Sequence, residues 1–136
     1  MIAAAPASVL SIRPARADDQ AFVAATFAEQ LSRGHHHDAN QVVDRVLDSS
    51  MTRVLVACDA GRIVGWLAYS AIPRVRAVLF MYVRRQARDR GVARELADTA
   101  WPGRSGAWVH GGLRGATTRS LLERHKTTAM DLDDLI

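Results

Sequence analysis

Cysteine, lysine and long apolar runs are almost absent from this chain of 136 residues. The single cysteine, Cys58, excludes an intrachain disulfide and a zinc site built from several cysteines. It lies in the segment VLVACD, where we expect a small buried side chain, with a nucleophile as the alternative. No apolar run approaches the ~20 residues that a membrane-spanning helix needs, so we expect no membrane association.

The first 17 residues are not typical of a secretion signal. They lack a basic start, and Pro6 and Ser8 interrupt their apolar part. The sequence therefore predicts a cytoplasmic protein.

Arginine supplies nearly all of the positive charge. Lys126 is the only lysine among 18 basic residues, and the net charge is +4 with a pI of about 10.2. Such a balance suits an anionic partner, which leaves a nucleotide cofactor, a nucleic acid or an acidic surface. Coding bias in a GC-rich genome would account for the arginines, and bidentate recognition of phosphate is the alternative. Only the arginines near Gly91 support the second explanation locally.

The length predicts a single domain over residues 1–136. Hydrophobic periodicity and turn residues predict alternating strands and helices, with no repeat and no linker. The predicted strands are Val9–Arg13, Thr52–Cys58, Ile63–Ser70, Val75–Val83 and Ala107–His110, with Thr127–Leu132 as an edge strand or a frayed end. The predicted helices are 17–34, a short one around 42–47, Val92–Trp101 and Thr117–His125.

This order of elements predicts an α/β chain of the α+β type. Strands that follow each other through a tight turn at Asp59–Arg62 form an antiparallel pair. A strand–helix–strand unit then adds a parallel pair. We therefore expect a mixed, mostly antiparallel central sheet with helices on both faces.

An arginine-rich turn with a lone glycine follows the most apolar strand. It reads RRQARDRGVA, from Arg84 to Ala93, and it opens a helix. The N-terminus of a helix offers unpartnered N–H groups and the positive end of the helix dipole. Gly91 permits the close approach of a diphosphate, and Arg88 and Arg90 can add charge-assisted contacts. An ordinary solvated turn is the alternative.

These residues resemble the cofactor-binding segment of the GCN5-related N-acetyltransferase (GNAT) family. The family signature is Gln or Arg, two residues, Gly, one residue, then Gly or Ala, and Arg88-Asp89-Arg90-Gly91-Val92-Ala93 matches it. The opening Ile12-Arg13-Pro14-Ala15 and the position of Gly65 in the hairpin are also similar to the family pattern. The resemblance covers residues 9 to about 100.

The resemblance implies an acetyltransferase that uses acetyl-CoA as its co-substrate. The backbone at Met81, Tyr82 and Val83 is then expected to pair with the pantetheine arm. The pyrophosphate is expected on Arg88, Asp89, Arg90, Gly91, Val92 and Ala93. The neighbouring strands of the family splay apart there, and the gap delivers the thioester to an acceptor amine.

The last predicted helix departs from the family pattern. Leu122 stands where the family places a tyrosine thought to protonate the leaving thiolate, and Thr117 and Thr118 replace an asparagine. The closing hairpin must be short or missing, an open edge that would favour a homodimer. We consider His110 as a base, and Tyr82 and Ser120 as weaker candidates for the acid. Each also has a purely structural explanation, at a strand end, in the core or on a helix surface.

Three alternatives remain open at the level of the sequence. The segment His35-His36-His37-Asp38 is suggestive of metal ligands, but consecutive residues rarely surround one ion, so we expect no metal and a solvated loop or an acceptor-site border. A GNAT fold that binds without catalysis is the first rival function. A nucleic-acid-binding module, motivated by Arg84, Arg85, Arg88 and Arg90, is the second, and the shortage of aromatic residues argues against it.

Overall fold

The computed structural model describes residues 10–34, 36–103, 106–113 and 115–136. Its strands are β1 (Leu10–Pro14), β2 (Thr52–Asp59), β3 (Arg62–Ser70), β4 (Val75–Val83), β5 (Ala107–His110) and β6 (Thr128–Ala129). Its helices are α1 (Gln20–Arg33), α2 (Ala39–Asp48), α3 (Val92–Ala100), α4 (Ala116–His125) and α5 (Leu132–Leu135).

The six strands form one sheet in which the spatial order follows the order in the chain. Strands β1 to β4 are antiparallel neighbours, whereas β5 runs parallel to β4 and β6 parallel to β5. The β2–β3 hairpin turns at Ala60 and Gly61, whose φ angles of 52° and 79° are those of a two-residue turn that matches the twist of the strands. The predicted mixed sheet and its tight hairpin are confirmed.

Helices cover both faces of the sheet, as predicted. One apolar core lies under α1 and α2, where Phe27 and Leu31 are fully buried. The other core lies under α3 and α4, where Leu96 is fully buried and Leu121 nearly so. Cys58 is buried in the first core, which agrees with its expected role as a small apolar side chain.

The C-terminal segment differs from its prediction in part. An edge strand exists, but it is limited to the two residues of β6, and Leu132 belongs to the short helix α5 instead. The side chain of Asp131 accepts a hydrogen bond from the Asp133 N–H at 3.0 Å and so caps this helix. Leu135 is then fully buried, and the Ser70 hydroxyl donates to its carbonyl oxygen at 2.6 Å.

Among the residues that the structure describes, no helix has the length and apolar character needed to cross a bilayer.

Candidate functional site

The chain leaves β4 through an anchored arginine. The Arg84 N–H donates to the Val64 carbonyl at 2.7 Å, and its Nε donates to the Ile63 carbonyl at 2.7 Å. The Arg84 guanidinium also lies 4.9 Å from the centre of the Phe22 ring. Arg84 therefore joins the end of β4 to β3 and α1, which gives it a structural role in the turn.

The turn itself contains one extended and two left-handed residues. After a short 3-10 turn at Arg85–Ala87, Arg88 is extended, Asp89 has φ 63° and Gly91 has φ 79°. Asparagine and aspartate tolerate the left-handed region better than most residues, and glycine enters it without cost. Left-handed residues in a turn can bring successive N–H groups together, an arrangement that favours anions.

Helix α3 begins directly after Gly91 with no side-chain cap. A Cβ built on Gly91 would meet no atom within 4 Å, so the backbone borders open space. The position requires glycine because of its φ angle, since no neighbouring residue crowds it. The first turn of α3 is thus open to a ligand.

A cavity of about 620 Å³ lies against this first turn, between α3 and α4. Four arginines and one aspartate contribute to its wall, which makes it suited to a multiply charged anion. The lining residues from β4, the turn and α3 are Val83, Ala87, Arg88, Asp89, Arg90, Gly91, Val92, Ala93 and Arg94, and those from α4 are Thr117, Ser120, Leu121 and Arg124.

The structure brings together most of the residues expected to bind the cofactor. All six residues from Arg88 to Ala93 line the cavity, and so does Val83. Met81 and Tyr82 do not line it. Arg88 also donates from Nε to the Val83 carbonyl at 3.2 Å, which holds its guanidinium beside the end of β4.

Gly65 of β3 lets α3 pack close to the sheet. A Cβ there would lie 2.8 Å from the Tyr82 carbonyl oxygen and 3.1 Å from Cγ1 of Val92. Val92 is buried against this glycine at the start of α3. The small residue in β3 therefore sets the position of the helix end that borders the cavity.

A gap opens between β4 and β5 beyond Val78. Strand β5 pairs with β4 only from Val75 to Val78, where it reaches its end at His110. Opposite β3, Ala68 pairs with Phe80 and Tyr69 with Val78, so Leu79 is an extra residue on β4. This bulge lies next to the point at which the pairing of β4 with β5 ends.

The N-terminal end of α4 enters this gap. The Met81 N–H donates to Thr118 Oγ1 at 2.9 Å, and the Thr118 hydroxyl lies 3.1 Å from the Met81 carbonyl oxygen. A Cβ on Gly115 would lie 2.6 Å from Cζ of Phe80, so the residue before α4 must be small. No specific signal in the sequence predicts the contact between Thr118 and Met81, because a threonine near a helix start is common.

The three candidate catalytic residues lie in different environments. Ser120 is exposed on the wall of the cavity. Tyr82 is half-buried on the opposite face of the sheet, with its ring 6.4 Å from Phe22 and 6.1 Å from Trp66. His110 is buried and lines neither this cavity nor the second one described below.

The imidazole of His110 is engaged by the backbone. The Gly112 N–H donates to Nδ1 at 3.1 Å, so Nδ1 acts as an acceptor and the ring proton is assigned to Nε2. A base at Nδ1 would have to give up this bond. The arrangement therefore favours a structural role for His110 in the turn after β5.

A second cavity of about 330 Å³ continues the groove between α3 and α4. It shares Ala93, Arg94, Leu121 and Arg124 with the first. Its floor is Trp108, which stacks on His125 at 4.1 Å. The Trp101 ring contacts the Trp108 ring edge-on at 5.2 Å, and the Arg76 guanidinium lies 4.7 Å from the centre of the Trp108 ring.

The histidine-rich loop forms no metal centre within the part of the chain that the structure describes. His36, His37 and Asp38 belong to no group of three or more possible metal-binding side chains. His35 lies outside the described residues.

Several solved structures of low sequence identity share this architecture, and named acetyltransferases are among them. A ribosomal-protein-alanine N-acetyltransferase from Brucella melitensis biovar Abortus 2308 has a TM-score of 0.56 and 21% identity, over 90% of this chain and 94% of that one. An aminoglycoside N-acetyltransferase, AAC(6')-Iy, in complex with CoA has a TM-score of 0.58 and 18% identity, over 90% and 89%. A possible acetyltransferase from Clostridium difficile 630 has a TM-score of 0.58 and 15% identity, over 90% and 92%.

A search of curated protein sequences finds no significant match. At these identities the solved structures establish the fold alone. The sequence itself matches the family model of the acetyltransferase (GNAT) family over residues 19–101, more than half of its length. Because the match covers more than half of the chain, including the turn from Arg88 to Gly91 and the start of α3, the chain belongs to the GNAT acetyltransferase family.

Proposed function

We propose that this protein is an N-acetyltransferase that transfers an acetyl group from acetyl-CoA to a primary amine. The observation that carries the proposal is the open, arginine-lined first turn of α3, reached through a glycine at φ 79°. The N-acetyltransferase relatives and the CoA complex of one of them support the same assignment. The acceptor is a small molecule or a protein.

The residues present fit a diphosphate. The N–H groups at the start of α3 and the guanidinium groups of Arg88 and Arg90 supply donors and positive charge on one wall. Arg94 and Arg124 stand on the rim that both cavities share, where they can meet the phosphates of the nucleotide end. The groove between α3 and α4 is long enough to continue past the diphosphate toward Trp108.

The reaction needs an amine, a thioester and a path for two protons. When acetyl-CoA is bound, its thioester carbon forms a bond to the amine nitrogen, the carbon–sulfur bond breaks, and the sulfur leaves as a thiolate. The amine loses a proton and the thiolate gains one, and each assisted transfer contributes ~10²–10⁴-fold. Ser120 is a candidate for the acid, and it lines the same cavity as the turn from Arg88 to Gly91, here called the phosphate turn. His110, the candidate base, and Tyr82, the other candidate for the acid, do not line this cavity.

Substitution of Gly91 by aspartate tests the assignment. The new carboxylate would enter the open space beside α3 and repel the diphosphate, so the affinity for CoA should fall by about a hundredfold or more. Isothermal titration calorimetry with CoA measures the change. Unchanged affinity in Gly91→Asp would refute the proposed site.

Gly103 provides a matched control for that experiment. It also has a positive φ, of 82°, and a Cβ there would also meet nothing within 4 Å. It lines neither cavity. Gly103→Asp therefore introduces the same backbone strain and the same charge, but it should leave CoA affinity unchanged.

A binding protein without catalysis is the second candidate function. Leu122, which stands at the family's tyrosine position, is buried at 8% exposure and offers no proton. The hydrogen bond that His110 Nδ1 accepts from the Gly112 N–H also favours a protein without catalysis. An assay of thiol release from acetyl-CoA over a panel of primary amines separates the two functions. A protein that binds CoA but releases no thiol with any of the amines favours the binding function.

A further inference from the structure

On the edge of β4 that faces the gap, the side chain of Thr118 contacts the main chain of Met81. Met81 and Thr118 are 1% and 0% exposed, and both main-chain polar groups of Met81 lie within hydrogen-bond distance of the Thr118 hydroxyl. Strand β5 has already ended at the level of Val78. Thr118 thus takes the place that a paired strand would occupy beside Met81.

We propose that Thr118 is a gate residue that holds the β4 edge closed and must release Met81 before the pantetheine arm of the acyl donor can bind. This inference rests on the proposed function and adds a determinant of cofactor affinity to it. The open cavity reaches Val83 of β4, whereas neither Met81 nor Thr118 lines it. The gate lies directly beyond the inner end of that cavity.

An arm with amide groups binds a strand edge through main-chain hydrogen bonds. Residues two apart on a strand, such as Val83 and Met81, lie about 7 Å apart and offer their groups to the same side. The arm that follows β4 inward from the phosphate turn meets Val83 first and Met81 next. At Met81 it competes with the Thr118 hydroxyl for the same N–H and C=O.

The hydroxyl has a partner to move to. Threonine in a helix occupies two side-chain rotamers because its hydroxyl can bond the carbonyl three or four residues earlier. For Thr118 the carbonyl three residues earlier is that of Gly115, which accepts one hydrogen bond from the Arg119 N–H and has a second lone pair. Rotation about one bond therefore frees Met81 without leaving the hydroxyl unpaired.

Calorimetric titration with two probes tests the gate. CoA carries the arm. Adenosine 3′,5′-bisphosphate lacks the arm and one phosphate of the diphosphate, and it keeps the 3′-phosphate and the phosphate attached to the 5′ position. Thr118→Ala removes the competing hydroxyl, so CoA should bind about fivefold more tightly, the factor equivalent to ~1 kcal/mol for one net hydrogen bond. The affinity for adenosine 3′,5′-bisphosphate should not change.

Two further variants control that comparison. Thr118→Ser keeps the hydroxyl and should bind both probes as the unchanged protein does. Thr99→Ala makes the same substitution on the exposed face of α3, where the Thr99 hydroxyl donates to the Glu95 carbonyl and lines neither cavity. It should alter neither affinity.

Amide resonances of the unchanged protein give a readout that does not depend on the folding of any variant. CoA should shift the Met81 amide as well as those of Val92 and Ala93, whereas adenosine 3′,5′-bisphosphate should shift only the latter two. The inference is overturned if Thr118→Ala changes both affinities alike or neither, if it weakens CoA binding, or if CoA leaves the Met81 amide unshifted. Failure of both probes to bind the unchanged protein would overturn the proposed function, and the gate with it.

Discussion

At the scale of single residues, the phosphate turn contains one negatively charged side chain, which opposes the binding of an anion. Asp89 lies among four arginines on the cavity wall, in the left-handed conformation at φ 63°. Its carboxylate repels a diphosphate and partly offsets the guanidinium groups beside it. Asparagine tolerates the same backbone conformation, so the charge can be removed without new strain.

Asp89→Asn should therefore strengthen CoA binding. A gain of roughly fivefold corresponds to ~1 kcal/mol for the loss of one partly screened repulsion. Titration calorimetry at low and at high salt measures it, and the gain should narrow as salt rises. Asp44→Asn on the exposed face of α2 makes the same change in net charge far from α3. An equal gain in that variant would assign the effect to net charge and not to the turn.

At the scale of elements, an ion pair fixes the junction between β1 and α1. Arg13 donates to both carboxylate oxygens of Asp19, at 2.6 and 3.1 Å, and the Arg16 N–H donates to the same carboxylate at 2.7 Å. The hydrogen bonds from Arg13, and after them that from Arg16, lower the pKa of Asp19 below its ordinary value of 3.8, although burial acts in the opposite direction.

This lowered pKa predicts a pH-dependent stability. The unfolded chain binds the proton of Asp19 at a higher pH than the folded chain does, so the stabilisation is complete above about pH 4 and is lost as pH falls through the folded pKa. Urea denaturation should show a lower midpoint for Asp19→Asn than for the unchanged protein at pH 7. The difference should shrink at pH 3, and a difference that stays constant with pH would contradict the role of the charge.

Most elements follow from local sequence patterns. Strand β4, a nearly unbroken apolar run, and strand β5 have the predicted bounds, and α3 ends one residue earlier than predicted. The short helix α5 was not predicted, because its LDDL sequence has too few apolar residues to show a helical period and depends on the cap from Asp131.

The candidate site was predictable only where a motif identified it. The Gly91 turn follows from its spacing, since strand, glycine and helix start are consecutive in the chain. The contact of Thr118 with Met81 joins residues 37 positions apart, and no periodicity records such a pairing. Tyr82 and Ser120 are both candidates for the acid in the sequence, but the alternation of side chains along β4 puts Tyr82 on the other face of the sheet.

At the scale of the whole molecule, the net charge is compatible with two kinds of anionic partner. A charge of +4 attracts nucleic acid as well as a nucleotide cofactor. The cavity concentrates its arginines in a concave site between two helices, which fits a compact ligand better than an extended duplex. Cytoplasmic location and pairing of two copies stay predictions.

CoA should raise the melting temperature, and duplex DNA should not. At a free concentration 100 times its dissociation constant, a ligand stabilises the folded state by about 2.7 kcal/mol, which for a chain of this length corresponds to about 9 °C. Thermal-shift measurements at 0.2 M salt compare CoA with a short DNA duplex. A larger shift with DNA, falling steeply as salt rises, would favour the nucleic-acid-binding module.

The sheet order described above has a consequence for synthesis. Because each strand after β1 lies beside its predecessor in the chain, its first pairing partner has already been synthesised when it leaves the ribosome. The first four strands can assemble as an antiparallel platform before the later residues exist. Helix α4 is translated afterwards, so we expect the edge of β4 at Met81 to stay uncovered in the nascent protein until that helix docks.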